Sequence, residues 1–159
     1  MTIQPSVRER FRFLTRVVRK EAQHLEMTTR RLFSTPFTAE RAAALSTDPD
    51  LAERVDAFVS RFGRLQDTLG DKLLPLLLST LGEKPLATID RLDRAERLGL
   101  IPSGDQWMAM RRLRNQMIHE YVDDPRILSN ALESAHRAVA VLIETTSALT
   151  AEAERRGWL

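Results

Sequence analysis

The sequence predicts an all-α fold. Three observations carry that reading: apolar residues recur at three- and four-residue steps along most of the 159 residues, no stretch alternates apolar and polar as a half-buried strand does, and proline and glycine fall between the periodic stretches. With 43% hydrophobic and 29% charged residues, the chain has the composition of one domain, residues 1–159, built on a single sizeable core. Four long amphipathic helices with short connections, plus one or two additional short helices, make an antiparallel four-helix bundle the economical architecture.

Each element has its own signal. Ser6 is the expected cap of the first helix, which runs to about Phe33 with Val7, Phe11, Leu14, Val18, Ala22 and Leu25 turned inward. Pro36 breaks the pattern, and a short helix is expected over 39–45. Asp48-Pro49 supplies a cap followed by proline in the first turn, opening a second long helix marked by Leu51, Val55, Phe58, Phe62, Leu65, Leu69 and Leu73. Pro75 is expected to kink or end it, because the ring removes one hydrogen bond and clashes with the carbonyl four residues back. Residues 85–98 read as a shorter helix closed by Gly99, with Leu-Ile-Pro at 100–102 as a loop. Ser103 or Asp105 opens the next helix, through Trp107, Met110, Leu113, Met117 and Ile118 to about Tyr121. Asp123-Asp124-Pro125 stops that helix and caps the last, 125–156, whose inward residues are Leu128, Leu132, Ala135, Val139, Leu142 and Leu149.

Composition removes several classes of chemistry. The chain has no cysteine, so disulfides, thiolate nucleophiles and Cys-ligated metals are excluded. Its three histidines, His24, His119 and His136, lack HxH or HExxH spacing, and no metal or cofactor is expected. His24 and His136 read as ordinary surface or packing positions. Lys plus Arg is 24 against 22 for Asp plus Glu, a formal charge of +2 that is compatible with nucleic-acid binding without proving it. Only Lys20, Lys72 and Lys84 are lysines; arginine forks suit phosphate oxygens, and codon bias is the plainer explanation. The longest apolar run, 73–78, is interrupted by Pro75 and too short to span a bilayer. The first residues, MTIQPSVRERFRF, carry no apolar stretch of a secretory leader, so the cytoplasm is expected.

On a helical wheel, Met110, Met117, Ile118 and Tyr121 fall within about 80° of Trp107 and define a buried stripe with Arg114 in its middle. An arginine there must be paired or look into a cleft. Glu21, Glu26, Asp67 and Asp71 are the acidic candidates, and Asp67 braces Arg114 if the second long helix and the helix carrying Arg114 are neighbours. His119 shares another face with Asn115 and Arg112. Arg111 and Arg112 form a basic face, solvated or in contact with an RNA backbone. Arg-x4-His alone also fits an interhelical ion pair beside a surface histidine.

Arg114-Asn115-Gln116-Met117-Ile118-His119-Glu120-Tyr121 resembles the Arg-x4-His-x-Tyr signature of the HEPN superfamily, in particular the HepT-like toxins paired with minimal nucleotidyltransferases. The sharp motif covers eight residues. Its place near the end of the penultimate helix and the Leu98-Gly-Leu-Ile-Pro lead-in are also similar, while the first helix and residues 34–50 look longer than in compact HepT-like proteins. The resemblance implies a homodimeric, metal-independent endoribonuclease toxin with its cleft where two copies of the motif helix meet. It further implies that His119 moves protons, Arg114 neutralises charge on phosphorus-bound oxygens, and Asn115 holds the phosphate or orients the histidine. The expected product is a 2′,3′-cyclic phosphate. Tyr121, the only tyrosine, is either an interface aromatic or the acceptor of AMP from the cognate nucleotidyltransferase antitoxin. The alternative reading is a non-catalytic helical partner, a substrate-binding subunit of that nucleotidyltransferase.

Overall fold

The computed structural model describes residues 2–84, 87–119 and 124–159, and among them every regular element is helical. In chain order these are α1 (Pro5–Leu32), α2 (Ala39–Ala43) with a 3₁₀ turn at Ala44–Ser46, and α3 (Pro49–Thr68). A π turn (Leu69–Leu73) leads into α4 (Leu74–Thr80), followed by α5 (Thr88–Arg97), α6 (Gly104–His119) and α7 (Pro125–Arg155). Every residue named above as inward on the two long helices from Asp48 and Pro125 is buried, and so are Phe11, Leu14, Val18, Ala22 and Leu25 of α1. Residues 85, 86 and 120–123 lie outside the described residues.

Caps set most of the boundaries. Asp48 Oδ1 accepts from the Leu51 N–H at 3.1 Å and Asp124 Oδ1 from the Arg126 N–H at 2.9 Å. Between the two candidates for the α6 cap, Ser103 serves, its hydroxyl accepting from the Gln106 N–H. Gly99 ends α5 at φ 73°, a left-handed conformation open to glycine, with the Leu100 N–H returning to the Ala95 carbonyl. Ser6 is not the first cap. Pro5 already stands in the first turn behind Gln4, since its fixed φ suits that position and its missing N–H is not needed there.

Pro75 neither ends nor interrupts its helix. The turn before it is widened, the Leu74 N–H reaching the Leu69 carbonyl five residues back. Widening draws the preceding carbonyls away from the proline ring, so the clash expected in a regular helix does not arise. The wide turn absorbs the extra residue without turning the apolar stripe, and Leu69, Leu73, Leu74, Leu77 and Leu78 are all buried.

The long helices pack antiparallel. Arg61 donates to the Thr28 hydroxyl and to the His24 carbonyl, while Thr68 meets Glu21, which aligns α1 against α3 in opposite directions. Arg8 donates to the Gly157 carbonyl at 2.6 Å, and Phe33 stacks on His136 at 4.1 Å between ring centroids, which does the same for α1 and α7. Helix α6 lies against both α3 and α7. Phe11, Phe58 and Phe62 are fully buried at the centre; truncating one to alanine costs about 3–5 kcal/mol in such cores.

Candidate functional site

Two glycines decide how α3 meets α6. A β-carbon on Gly63 would stand 2.6 Å from Arg114 Nε, and one on Gly70 would stand 3.0 Å from Trp107 Nε1. Gly63 and Gly70 are seven residues apart, as are Trp107 and Arg114, so two large side chains of α6 lie across bare backbone in one antiparallel register. Between these contacts the buried Gln66 donates from Nε2 to the Trp107 carbonyl at 3.1 Å.

Arg114 ends in an ion pair. Its Nη1 donates to both oxygens of Asp67, at 2.6 and 2.7 Å. The Arg114 side chain is 31% exposed and that of Asp67 38%, so the pair is held by packing on one side and open to solvent on the other. It borders a groove of about 790 Å³ between α3 and the end of α6, also lined by Ser60, Arg64, Lys72 and Ile118.

Glu21 of α1 meets Thr68, one of the residues that line this groove. Thr68 Oγ1 lies 3.1 Å from Glu21 Oε1 and 2.9 Å from the Arg64 carbonyl oxygen. One hydroxyl hydrogen serves one of these acceptors, so both contacts are hydrogen bonds when the carboxyl itself carries a proton. Burial pushes the Glu21 carboxyl above the ordinary carboxylate range, against the hydrogen bond from Thr68 and the nearby Arg64 and Lys72, and with the help of Asp67. Among the described residues its Oε2 is buried without a partner.

The motif residues are unevenly placed. Trp107, Met110 and Met117 are buried as the wheel requires, but Ile118 is 50% exposed. Its angular position is right, yet the facing stretch of α3 offers Asp56 and Ser60, which do not close over it. Asn115 and Arg112 are exposed, Arg111 is half-buried, and none of the three lines the groove. His119 is the last residue of α6; its side chain, and Tyr121 altogether, lie outside the described residues. Of the acidic candidates, Asp67 is the one joined to Arg114, whereas Asp71 pairs with Arg91 and Glu26 with Arg30. His136 packs on Phe33 with its Nδ1 3.9 Å from Glu133, as a packing position should.

Sequence reasoning passed over Gly63 and Gly70, although a lone glycine within a helical pattern is the usual sign of a close backbone approach. It also missed Arg64 and Lys72 as groove residues. Among the described residues no group of three or more His, Asp or Glu side chains is placed to hold a metal ion, and no helix is long and apolar enough to cross a membrane. Searches against protein-family models, curated proteins and solved structures gave no match.

Proposed function

We propose that the chain is a HepT-like member of the HEPN superfamily, an antiparallel four-helix bundle that acts in the cytoplasm as the RNA-cleaving toxin of a toxin–antitoxin pair. The observation that carries this reading is the Arg114–Asp67 pair, held over Gly63 at the edge of an open groove and five residues before the end of the motif helix. A guanidinium kept only for structure needs no groove in front of it. At the groove's edge and 31% exposed, its planar fork has the chemistry that suits phosphate oxygens.

The reaction this reading assigns is transesterification. The ribose 2′-oxygen attacks phosphorus, the bond to the 5′-oxygen breaks, and a 2′,3′-cyclic phosphate remains. The 2′-hydroxyl loses its proton to a base and the departing oxygen gains one; His119 serves as the proton carrier, and a homodimer supplies two of them. Arg114 offsets charge developing on the non-bridging oxygens, with Asp67 fixing its position. Exposed Ile118 and the adjacent Val59 give the groove an apolar rim that a second copy covers. Neutralisation is by AMP transfer to Tyr121 from a nucleotidyltransferase antitoxin, which adds a phosphodiester charge and a base beside the groove.

The deciding experiment incubates chelator-treated protein with total RNA. New ends bearing 2′,3′-cyclic phosphate, formed equally with and without EDTA, are the expected result. Intact RNA, together with tight binding to the neighbouring nucleotidyltransferase, would establish the non-catalytic partner instead.

A further inference from the structure

Two grooves meet at one lysine. Beside the groove at Arg114 lies a second, of about 440 Å³, walled by α1, α4 and the start of α5. Lys72, in the π turn, lines both. The acids around this junction are largely matched: Asp67 by Arg114, Asp71 by Arg91 and Glu83 by Arg94. The cations are not. Among the described residues Arg64, Lys72, Arg10 and Lys84 line the joined grooves without a carboxylate at ion-pair distance. Asp56, at the far end of the first groove, and the half-buried Glu21, which feels the charges of Arg64 and Lys72, are the acids left to offset them.

Spacing limits what these cations can hold. Arg64 and Lys72 stand eight positions apart, about 12 Å along the axis, a spacing that suits an extended ligand. Lys84 continues the line beyond α4. A second feature comes from α1, where Phe13 is 47% exposed with the Arg10 guanidinium 5.7 Å from its ring centroid. A large aromatic left half in water beside an unmatched cation is the pairing that single-strand binding surfaces use, cations for the backbone and a ring for a base. An acidic peptide would use the cations and leave the ring idle.

We propose that the two grooves form one track for a single-stranded nucleic acid, with Arg64, Lys72, Arg10 and Lys84 on phosphates spaced along the strand and Phe13 stacking on a base. The track deepens the ribonuclease reading by naming its substrate class, and rests on that reading only for the scissile phosphate lying at the Arg114 end. Substrates with several nucleotides beyond the cleavage point are then bound far better than minimal ones.

The test uses the His119→Ala chain, which cannot consume its ligand under the ribonuclease reading, and fluorescein-labelled oligouridylates of four and twelve nucleotides titrated over a range of salt. The longer probe is expected to bind at least ten-fold tighter. Replacing Arg10, Lys72 and Lys84 together with glutamine should weaken it ten-fold or more and flatten the salt slope by about 2, near 0.7 per lost phosphate contact. Phe13→Ala should weaken it about ten-fold at an unchanged slope. Arg30→Gln, on the α7 side of α1, is the control and should leave binding as it is. Unchanged binding in the folded triple variant overturns the track, as does equal competition by polyglutamate of the same charge. Cleavage by the parent alongside unaltered binding in the triple variant leaves the ribonuclease reading standing without the track. Lost binding in the variant, with no cleavage by the parent, does the reverse.

Discussion

Arg114 crosses α3 where Gly63 has no side chain, its Nε 2.6 Å from the point a β-carbon would occupy. Gly63→Ala is therefore expected to push the guanidinium off Asp67. Alanine gains about 0.5–1 kcal/mol over glycine within a helix, and the atom it meets belongs to a long side chain with a partly open end. Melting temperature should shift by a few degrees at most, while RNA cleavage falls ten-fold or more. A folded Gly63→Ala protein that cuts like the parent would show that this pose of Arg114 is not the working one.

Asp67→Asn isolates the charge. The pair is about one-third exposed on either side, so solvent screens it and the stability lost should be on the order of 1 kcal/mol or less. Cleavage should drop further than stability does, because asparagine can accept from Arg114 but no longer anchors it as an ion. Thermal melts and initial rates on one RNA read the two effects separately, and equal rates would remove Asp67 from the site.

His119→Ala should lower the cleavage rate by about 10²- to 10⁴-fold, the usual loss on removing a proton-transfer group. Sedimentation should be unchanged. A variant that cuts at the parent rate would sink the assignment of His119.

Glu21 gives a pH signature. Its carboxyl takes up a proton more readily in the folded chain than in the unfolded one, so between the ordinary carboxylate value and the raised one the native state binds more protons. Stability attributable to Glu21 is then greatest below the ordinary value, declines as pH rises through that interval, and levels off once both states are ionised. Glu21→Gln should abolish this component and melt higher than the parent at neutral pH. Identical pH profiles for parent and variant would contradict it.

Tyr121→Phe removes one hydroxyl. Co-expression with the adjacent nucleotidyltransferase and ATP should add AMP mass to the parent peptide carrying residue 121 and none to the variant, which should stay toxic. Suppressed toxicity with an unmodified parent peptide would assign neutralisation to binding alone.

Helix class and phase were legible in the sequence because burial on a long helix repeats with the turn. Leu51 to Leu73 and Leu128 to Leu149 were read from that repeat alone. The link from Asp67 to Arg114 was legible only as a condition, since no local signal says which helices are neighbours. Ile118 marks the limit of the wheel, which gives an angle but not what stands opposite. Of the outcomes expected at Pro75, an end to the helix does not occur, for a related reason: the rule describes a regular helix, and the turn before it is not regular. Gly63 and Gly70 were visible all along, yet their meaning depends on Arg114 and Trp107, some fifty and forty positions away.

The π turn and Pro75 share one consequence for changes of chain length. Deleting a residue from an ordinary stretch of α3 would swing everything after it by about 100° and turn leucines outward. A deletion within 70–72 instead removes the surplus residue, so the flanking stripes stay aligned while the tightened turn now collides with the proline ring, a cost of about 3 kcal/mol. Paired with Pro75→Ala, the shortened rod becomes a plain helix of unbroken period. The dependence runs one way: Pro75 needs the wide turn, whereas the wide turn does not need Pro75.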